Sequence, residues 1–294
     1  MSMNIVKRGY RYLKRRVESF IYTMVYEIRF KVTRMEWGLN CDYKRDKEII
    51  VSLTSIPSRL KYIHLSIYTI LKQTVKPDRV ILYLDEEKCK KDNLPPKLLK
   101  LENYGVEIIL KKDIRVHTKY YYAMKENPEA IVITIDDDIL YRKDLIEILL
   151  DSYKKYPKAI SCFRAKRIKF DNNGKLLPYV QWEAYCTSIK KPSHELVALG
   201  VEGVLYPPHS IISEVFNEEA IKKYSLKNDD IWLKMMELLT GTKVVRVDVA
   251  KNKKVEVLNT QKVALYKSNV GQNQNDVYIN NLLEAYNINL KDFM

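Results

Sequence analysis

Three consecutive aspartates, Asp136, Asp137 and Asp138, follow the apolar run AIVITI at residues 130–135. Two unit charges about 5 Å apart repel by roughly 3 kcal/mol at an effective dielectric near 20. A strand that ends in three of them therefore needs a cation, a proton or open water. Carboxylate oxygens suit Mg2+ or Mn2+, which commonly take one or two carboxylates and complete their shell with water and substrate phosphate. The plainer alternative is a solvated strand end in which one aspartate caps the next helix, and three acids after a buried run argue for the metal. A second acidic pair, Asp229 and Asp230, opens NDDIWLKMM about ninety residues downstream. Asn or Asp ahead of an apolar helix is also what a helix cap looks like, so one residue of this stretch can cap while another reacts.

The surrounding pattern says where these acids stand. From Glu48 onward, short apolar runs alternate with helical periods. The order is strand EIIVSLT, helix SRLKYIHLSIYTILKQ with Pro57 near its start, strand RVILYLD, a helix introduced by Pro95 and Pro96, strand VEIIL, a helix around Tyr120 to Glu126, and strand AIVITI. Strands alternating with helices predict βαβ units and a largely parallel sheet, an α/β fold. The aspartate triplet then lies at the carboxyl end of an inner strand, the edge where open α/β sheets bind ligands. Beyond it the pattern predicts helix KDLIEILLDSYKKY, strand AISCF, a hairpin around Asn172, Asn173 and Gly174, and strand VEGVLYP stopped by Pro207 and Pro208. Helix DDIWLKMMELLTG follows, then strands within 242–257 and a last helix from Asp276.

Composition narrows the class. The 294 residues suffice for one catalytic-size domain with appendages. Four cysteines, Cys41, Cys89, Cys162 and Cys186, have no paired spacing and read as free thiols of a reducing compartment. Eight glycines form neither GxGxxG nor GxxxxGK[ST], so a bound phosphate would be held without a glycine cradle. No apolar run is long enough to span a bilayer and no secretory signal pattern opens the chain, which predicts a cytoplasmic or peripheral location. The net charge of +14 is uneven: residues 1 to 34 hold nine Lys/Arg against Glu18 and Glu27, a net of +7. Apolar residues recur there at steps of three and four, the pattern of a basic amphipathic helix. Such a helix suits an anionic membrane surface, or else packs its apolar face on the main domain or a second subunit.

The motifs resemble those of GT-A glycosyltransferases, in particular the bacterial family-2-like enzymes that build capsule and lipopolysaccharide chains. IVITIDDDILY resembles the DxD motif. IIVSLTSIPSRLKYIHLSIYTILKQTVKPDRVILYL resembles the family's opening strand, helix and second strand, and HTKYYYAMKENPEAIVITIDDD the segment that carries a lysine near the donor diphosphate. GVEGVLYPPHS resembles the acceptor-side strand and loop, with Glu202 where relatives commonly have a small residue. NDDIWLKMM resembles the motif of the catalytic base. The likeness runs over roughly residues 48 to 276. It implies a Rossmann-like, mostly parallel sheet flanked by helices, with a basic extension at 1–40, a catalytic domain at 45–265 and a terminal loop and helix at 266–294. Within that domain, 45–140 is the nucleotide-binding half and 141–265 the acceptor-binding half.

What the resemblance implies for chemistry is a metal-dependent transfer of a sugar from a nucleoside diphosphate, UDP foremost, to a glycan or lipid-linked hydroxyl. Asp138 would hold Mn2+ or Mg2+ with Asp136, and His209 is the candidate for a third ligand. Thr54, Ser55, Arg59, Lys119, Asp136 and Asp137 would bind the donor. Asp230 would be the base of an inverting reaction, with Asp229 its neighbour. Lys267 and Asn269 are candidates for phosphate contacts in the terminal loop. Two rival classes remain. One is a basic nucleic-acid-binding or phosphoryl-transfer protein, against which half the excess charge sitting in one terminal helix argues. The other is a non-catalytic membrane-associated scaffold. Monomer and oligomer stay open.

Overall fold

The apolar runs assemble into one seven-stranded sheet in a computed structural model that describes residues 2–33, 38–249, 254–260 and 273–293. Its strands are β1 (Ile49–Thr54), β2 (Arg79–Asp85), β3 (Val106–Lys111), β4 (Ile131–Thr134), β6 (Ile160–Cys162), β9 (Val204–Tyr206) and β10 (Val244–Arg246). The order across the sheet is β10-β6-β9-β4-β1-β2-β3. Every pairing is parallel except those of β9, which runs antiparallel between β4 and β6. Strand β1 is buried along almost its whole length, as an inner parallel strand covered on both faces must be. Two short ribbons complete the strands: β5 (Ile139–Leu140) pairs with β11 (Val255–Glu256), and β7 (Ala165–Arg167) with β8 (Leu196–Ala198).

Helices α2 (Leu60–Leu71), α3 (Pro96–Leu99) and α5 (Leu145–Lys155) contribute to a core with Val51, Leu53, Leu82 and Ile133. A second core joins α4 (Thr118–Glu126), α6 (Glu218–Tyr224), α7 (Asp229–Thr240) and α8 (Gln274–Ala285) through Tyr120, Ile221, Trp232 and Leu282. Gly241 closes α7 in the left-handed region at φ 74°, as a C-terminal glycine should. Helix α1 (Ser2–Val32) is the long basic helix expected at the amino end. All four cysteines are free thiols, three of them buried.

Four expectations change in detail. The hairpin around Asn172 to Gly174 is a turn with isolated bridges, Phe170 to Leu176 and Arg167 to Glu183, not a pair of regular strands. The helix after Pro95 is four residues long and continues as a 3-10 turn over Lys100–Tyr104. Helix α6 and the two-residue β5 were not expected. The last helix starts at Gln274, and neither Asn275 nor Asp276 caps it: the Asn275 Oδ1 accepts from Asn228, and the Asp276 Oδ1 accepts from the Tyr179 N–H.

Candidate active site

The aspartate triplet stands where the pattern placed it, just past the carboxyl end of β4. The Asp136 N–H donates to the Tyr141 hydroxyl at 2.7 Å, which closes the turn between β4 and β5. The three carboxylates then meet different sets of partners. Asp137, the most buried, accepts from the Ser55 hydroxyl at 2.5 Å and from Arg59 Nη1 at 2.7 Å, and its carbonyl accepts from Ser66 at 2.9 Å. Asp136 turns the other way, its Oδ1 3.1 Å from Lys119 Nζ. Asp138 lies 3.4 Å from Arg59, and its carbonyl accepts from the Val257 N–H at 2.8 Å. Ser55 and Arg59 therefore join the acidic cluster by holding Asp137. Thr54 does not join it, because its hydroxyl donates to the Tyr83 carbonyl on the neighbouring strand at 2.9 Å.

Lys119 links this cluster to the second acidic pair. Its ammonium is 2.9 Å from Asp229 Oδ2. Burial alone would lower its pKa, but Asp136, Asp229 and Asp230 outweigh it and keep the ammonium charged. Helix α4 is fixed from both sides: Ser52 of β1 donates to the Lys119 carbonyl at 2.5 Å, and buried His117 bridges the Tyr120 hydroxyl and the Ser225 carbonyl. Burial pushes His117 down to about 4, so the imidazole is neutral, with its Nε2 proton toward the carbonyl. Ser225 in turn donates to the Asn228 carbonyl at 2.6 Å, so Lys119 and the start of α7 share one scaffold.

The capping question has a definite answer. Asn228 is the N-cap of α7, its side chain accepting from the Ile231 N–H at 2.9 Å. Both aspartates of the first turn are left to the site. Asp230 Oδ1 accepts from the Gly200 N–H at 3.0 Å. Burial first, then the Asp229 charge, pushes Asp230 up to about 7, against the opposing pull of Lys119 and the Gly200 amide. A carboxylate poised there is matched to proton transfer near neutral pH. Gly200 is needed for space: a Cβ at that position would stand 2.7 Å from Lys119 Nζ and 3.4 Å from Asp230 Oδ1.

His209 is the correction. Because β9 is antiparallel to β4, with Val204 opposite Thr134 and Tyr206 opposite Val132, residues 200–203 approach the acidic edge while Pro207 to His209 run away from it. His209 sits at the opposite end of the sheet with its Nε2 2.7 Å from Glu129. Among the described residues no group of three or more His, Cys, Asp or Glu converges as a metal cage. Lys267 and Asn269 lie outside the described residues.

Two neighbours went unread in the sequence. Asp85 ends β2 at the same sheet edge, paired with Lys88, beside a cavity of about 500 Å3 lined by Pro57, Leu60, Lys88, Cys89 and Asn93. The signal was there, an acid closing a parallel strand in LYLDEE. Arg164 stacks at 3.8 Å over the Tyr185 ring and lies 3.7 Å from Glu202, two residues past Gly200. Nothing local in the sequence marks that group.

A mostly parallel sheet with one reversed strand, flanked by helices and acidic at its carboxyl edge, is the GT-A form of the Rossmann-like fold. The family description "Glycosyl transferase family 2" matches residues 54–202, just over half of the chain, and the chain belongs to that family. It is a glycosyltransferase. The matched segment contains the aspartate triplet, Lys119 and Gly200, while Asp229 and Asp230 lie beyond it. Among solved structures, the mannosyltransferase PcManGT from Pyrobaculum calidifontis, in complex with GDP-Man and Mn2+, shares the fold with a TM-score of 0.51. The identity is 9%, covering 91% of this chain and 72% of that one. CMP:2-keto-3-deoxy-manno-octonic acid synthetase complexed with CTP aligns with a TM-score of 0.40 and 13% identity, over 70% of this chain and 91% of that one. No curated protein sequence matches.

Proposed function

We propose that this glycosyltransferase moves a sugar from a nucleoside-diphosphate donor, UDP-sugar foremost, to a hydroxyl of a surface polysaccharide or lipid-linked glycan, with inversion. The observation that carries the reading is the bridge made by Lys119, which sets Asp136 of the sheet edge and the Asp229–Asp230 pair of α7 around one ammonium. Asp230, half-buried and anchored through one oxygen by Gly200, accepts the proton of the acceptor hydroxyl as that oxygen attacks the anomeric carbon. Asp229 sits beside it and raises its basicity. Lys119 holds the two acidic groups in register and presents positive charge toward the donor side. Arg59 and Ser55 fix Asp137, and so fix the turn that aims Asp136 and Asp138.

The donor set fits a divalent cation completed by water and phosphate. Burial, then the charges of Asp137 and Asp136, push Asp138 up to about 7 against the pull of Arg59, and a divalent cation beside it would favour its charged form. Mn2+ or Mg2+ held by Asp138 with Asp136 would supply neutralisation of charge on the departing diphosphate. An anionic membrane surface met through residues 1–34 is the partner that would present a lipid-linked acceptor.

The test is a panel of nucleotide sugars with Mn2+, Mg2+ or chelator, reading donor binding and hydrolysis. Metal-dependent binding and turnover of one nucleoside-diphosphate sugar is the expected result. Salt-sensitive oligonucleotide binding with no affinity for any nucleotide sugar would replace the reading with its nucleic-acid rival, and binding without turnover would make the protein a scaffold.

A further inference from the structure

Helix α1 touches the rest of the protein along one stripe. The Ser19 hydroxyl donates to the Glu256 carbonyl, and Thr23 Oγ1 accepts from the Leu258 N–H at 2.9 Å. Glu27 lies 2.6 Å from Lys97 and 3.1 Å from His64 of α2. Phe30, 3% exposed, packs edge-on against Tyr68 and His64. Positions 19, 23, 27 and 30 fall on one side of a helix that turns about 100° per residue.

A second stripe follows the same helix about a third of a turn further round. Leu13, Val17, Phe20, Ile21, Met24 and Ile28 are all exposed, from 47% at Met24 to 63% at Leu13. A core-packing helix would bury these side chains, and a solvated one would not carry them. A contiguous apolar strip of this kind marks a docking surface. The charge beside it identifies the occupant. Lys14, Arg15, Arg16, Arg29 and Lys31 share the helix with Glu18 and Glu27, and Glu27 is already engaged by Lys97. A second copy of the chain would bring two segments of like charge together, whereas an anionic lipid surface complements both the strip and its basic flanks. No helix of the described residues is long and apolar enough to cross a membrane.

We propose that α1 is an interfacial anchor, its outer stripe entering the headgroup region of an anionic bilayer while its inner stripe stays bound to the catalytic domain. This specifies the membrane partner named above for residues 1–34, and it stands or fails independently of the sugar-transfer chemistry. The anchor is also close to that chemistry. The segment 255–258, which α1 holds through Ser19 and Thr23, begins with β11, which pairs with β5 directly after the triplet, and its Val257 N–H reaches the Asp138 carbonyl. Thr260 at the end of the same segment accepts from Arg59 Nε at 3.1 Å. An α1 lying on a bilayer therefore brings the acidic edge with it.

The full-length protein is sedimented with vesicles of phosphatidylcholine alone and of phosphatidylcholine with phosphatidylglycerol, at low and high salt. Wild type partitions to the anionic vesicles, and high salt releases it. V17E/I21E/M24E stays in the supernatant with unchanged far-UV circular dichroism and unfolding midpoint, because none of the three side chains packs on the domain. K14E/R15E/R16E weakens binding by more than about a hundredfold. Wild type left in the supernatant with anionic vesicles overturns the proposal. So does a dimer in light scattering that V17E/I21E/M24E converts to monomer without wild type binding lipid.

Discussion

Lys119 and Asp229 form an ion pair 2.9 Å long that joins α4 to the first turn of α7, and Asp136 meets the same ammonium from the sheet edge at 3.1 Å. All three groups are largely shielded from water, so each charge depends on the others. Removing the cation strands the buried Asp229 and the partly buried Asp136. Lys119→Met should destabilise the protein by about 3 kcal/mol or more, read as a lowered urea midpoint, whereas Asp229→Asn should cost less because Asp136 still pairs with the ammonium. Equal midpoints for Lys119→Met and wild type would contradict the bridge.

Burial and the Asp229 charge push Asp230 up to about 7, and the proposed base would act deprotonated, which fixes the sign of the pH effect. Below 7 the base is protonated, and kcat/KM should fall by about tenfold per pH unit, levelling off above 7. Asp230→Asn should lose roughly 10²- to 10⁴-fold in kcat and flatten that limb. A profile unchanged by the substitution would assign the base elsewhere.

Asp138→Asn should lower transfer by at least about a hundredfold while the fold survives. Its stability has a direction too. The folded pKa is raised to about 7 from the ordinary carboxylate value, so between those limits the folded protein keeps a proton the unfolded chain gives up. Stability therefore declines as pH rises toward 7. In chelator at pH 8, the unfolding midpoint of Asp138→Asn should equal or exceed that of wild type, and a clear drop would mean that the carboxylate is a structural asset.

At Gly200 a methyl group would press on the Lys119 ammonium and only touch the Asp230 carboxylate. The lysine end can shift, so Gly200→Ala should fold, but an ammonium pushed off its place between Asp136 and Asp229 should reduce kcat by up to about a hundredfold, with a smaller loss of donor affinity. Steady-state kinetics alongside calorimetric titration with UDP separates the two.

One turn and more along α7, Lys234 and Glu237 are buried at 3.6 Å from each other, and neither Lys234 Nζ nor Glu237 Oε2 has a hydrogen-bond partner among the described residues. Burial lowers the lysine and pushes the glutamate up to about 7. Lys234→Met should cost about 3 to 5 kcal/mol in denaturant unfolding, and K234M/E237L should recover most of it, because a well-packed apolar pair replaces two desolvated charges.

Much of this was readable from local pattern. Strand β2 occupies the residues its apolar run marked, and α7 ends at Gly241 as its spacing required. What escaped was non-local. A two-residue strand such as β5 has no period to detect, and its partner lies more than a hundred residues away. The direction of β9 decides that Gly200 meets the acids and His209 does not, and strand direction leaves no trace in composition. Three adjacent polar residues could each have capped α7. Only the structure shows that Asn228 does so, with Asn275 bracing it.

Just past β11, the Leu258 N–H is bonded to Thr23 across 235 residues of chain. Such a contact carries a large loop-closure cost and cannot form before its later partner has been synthesised. Asp138 therefore gains the Val257 amide only after that later segment has been made. Until then the Ser19 and Thr23 end of the inner stripe has nothing to hold, whereas Glu27 and Phe30 already have Lys97, His64 and Tyr68. The outer stripe waits for no such partner and stays open to lipid throughout.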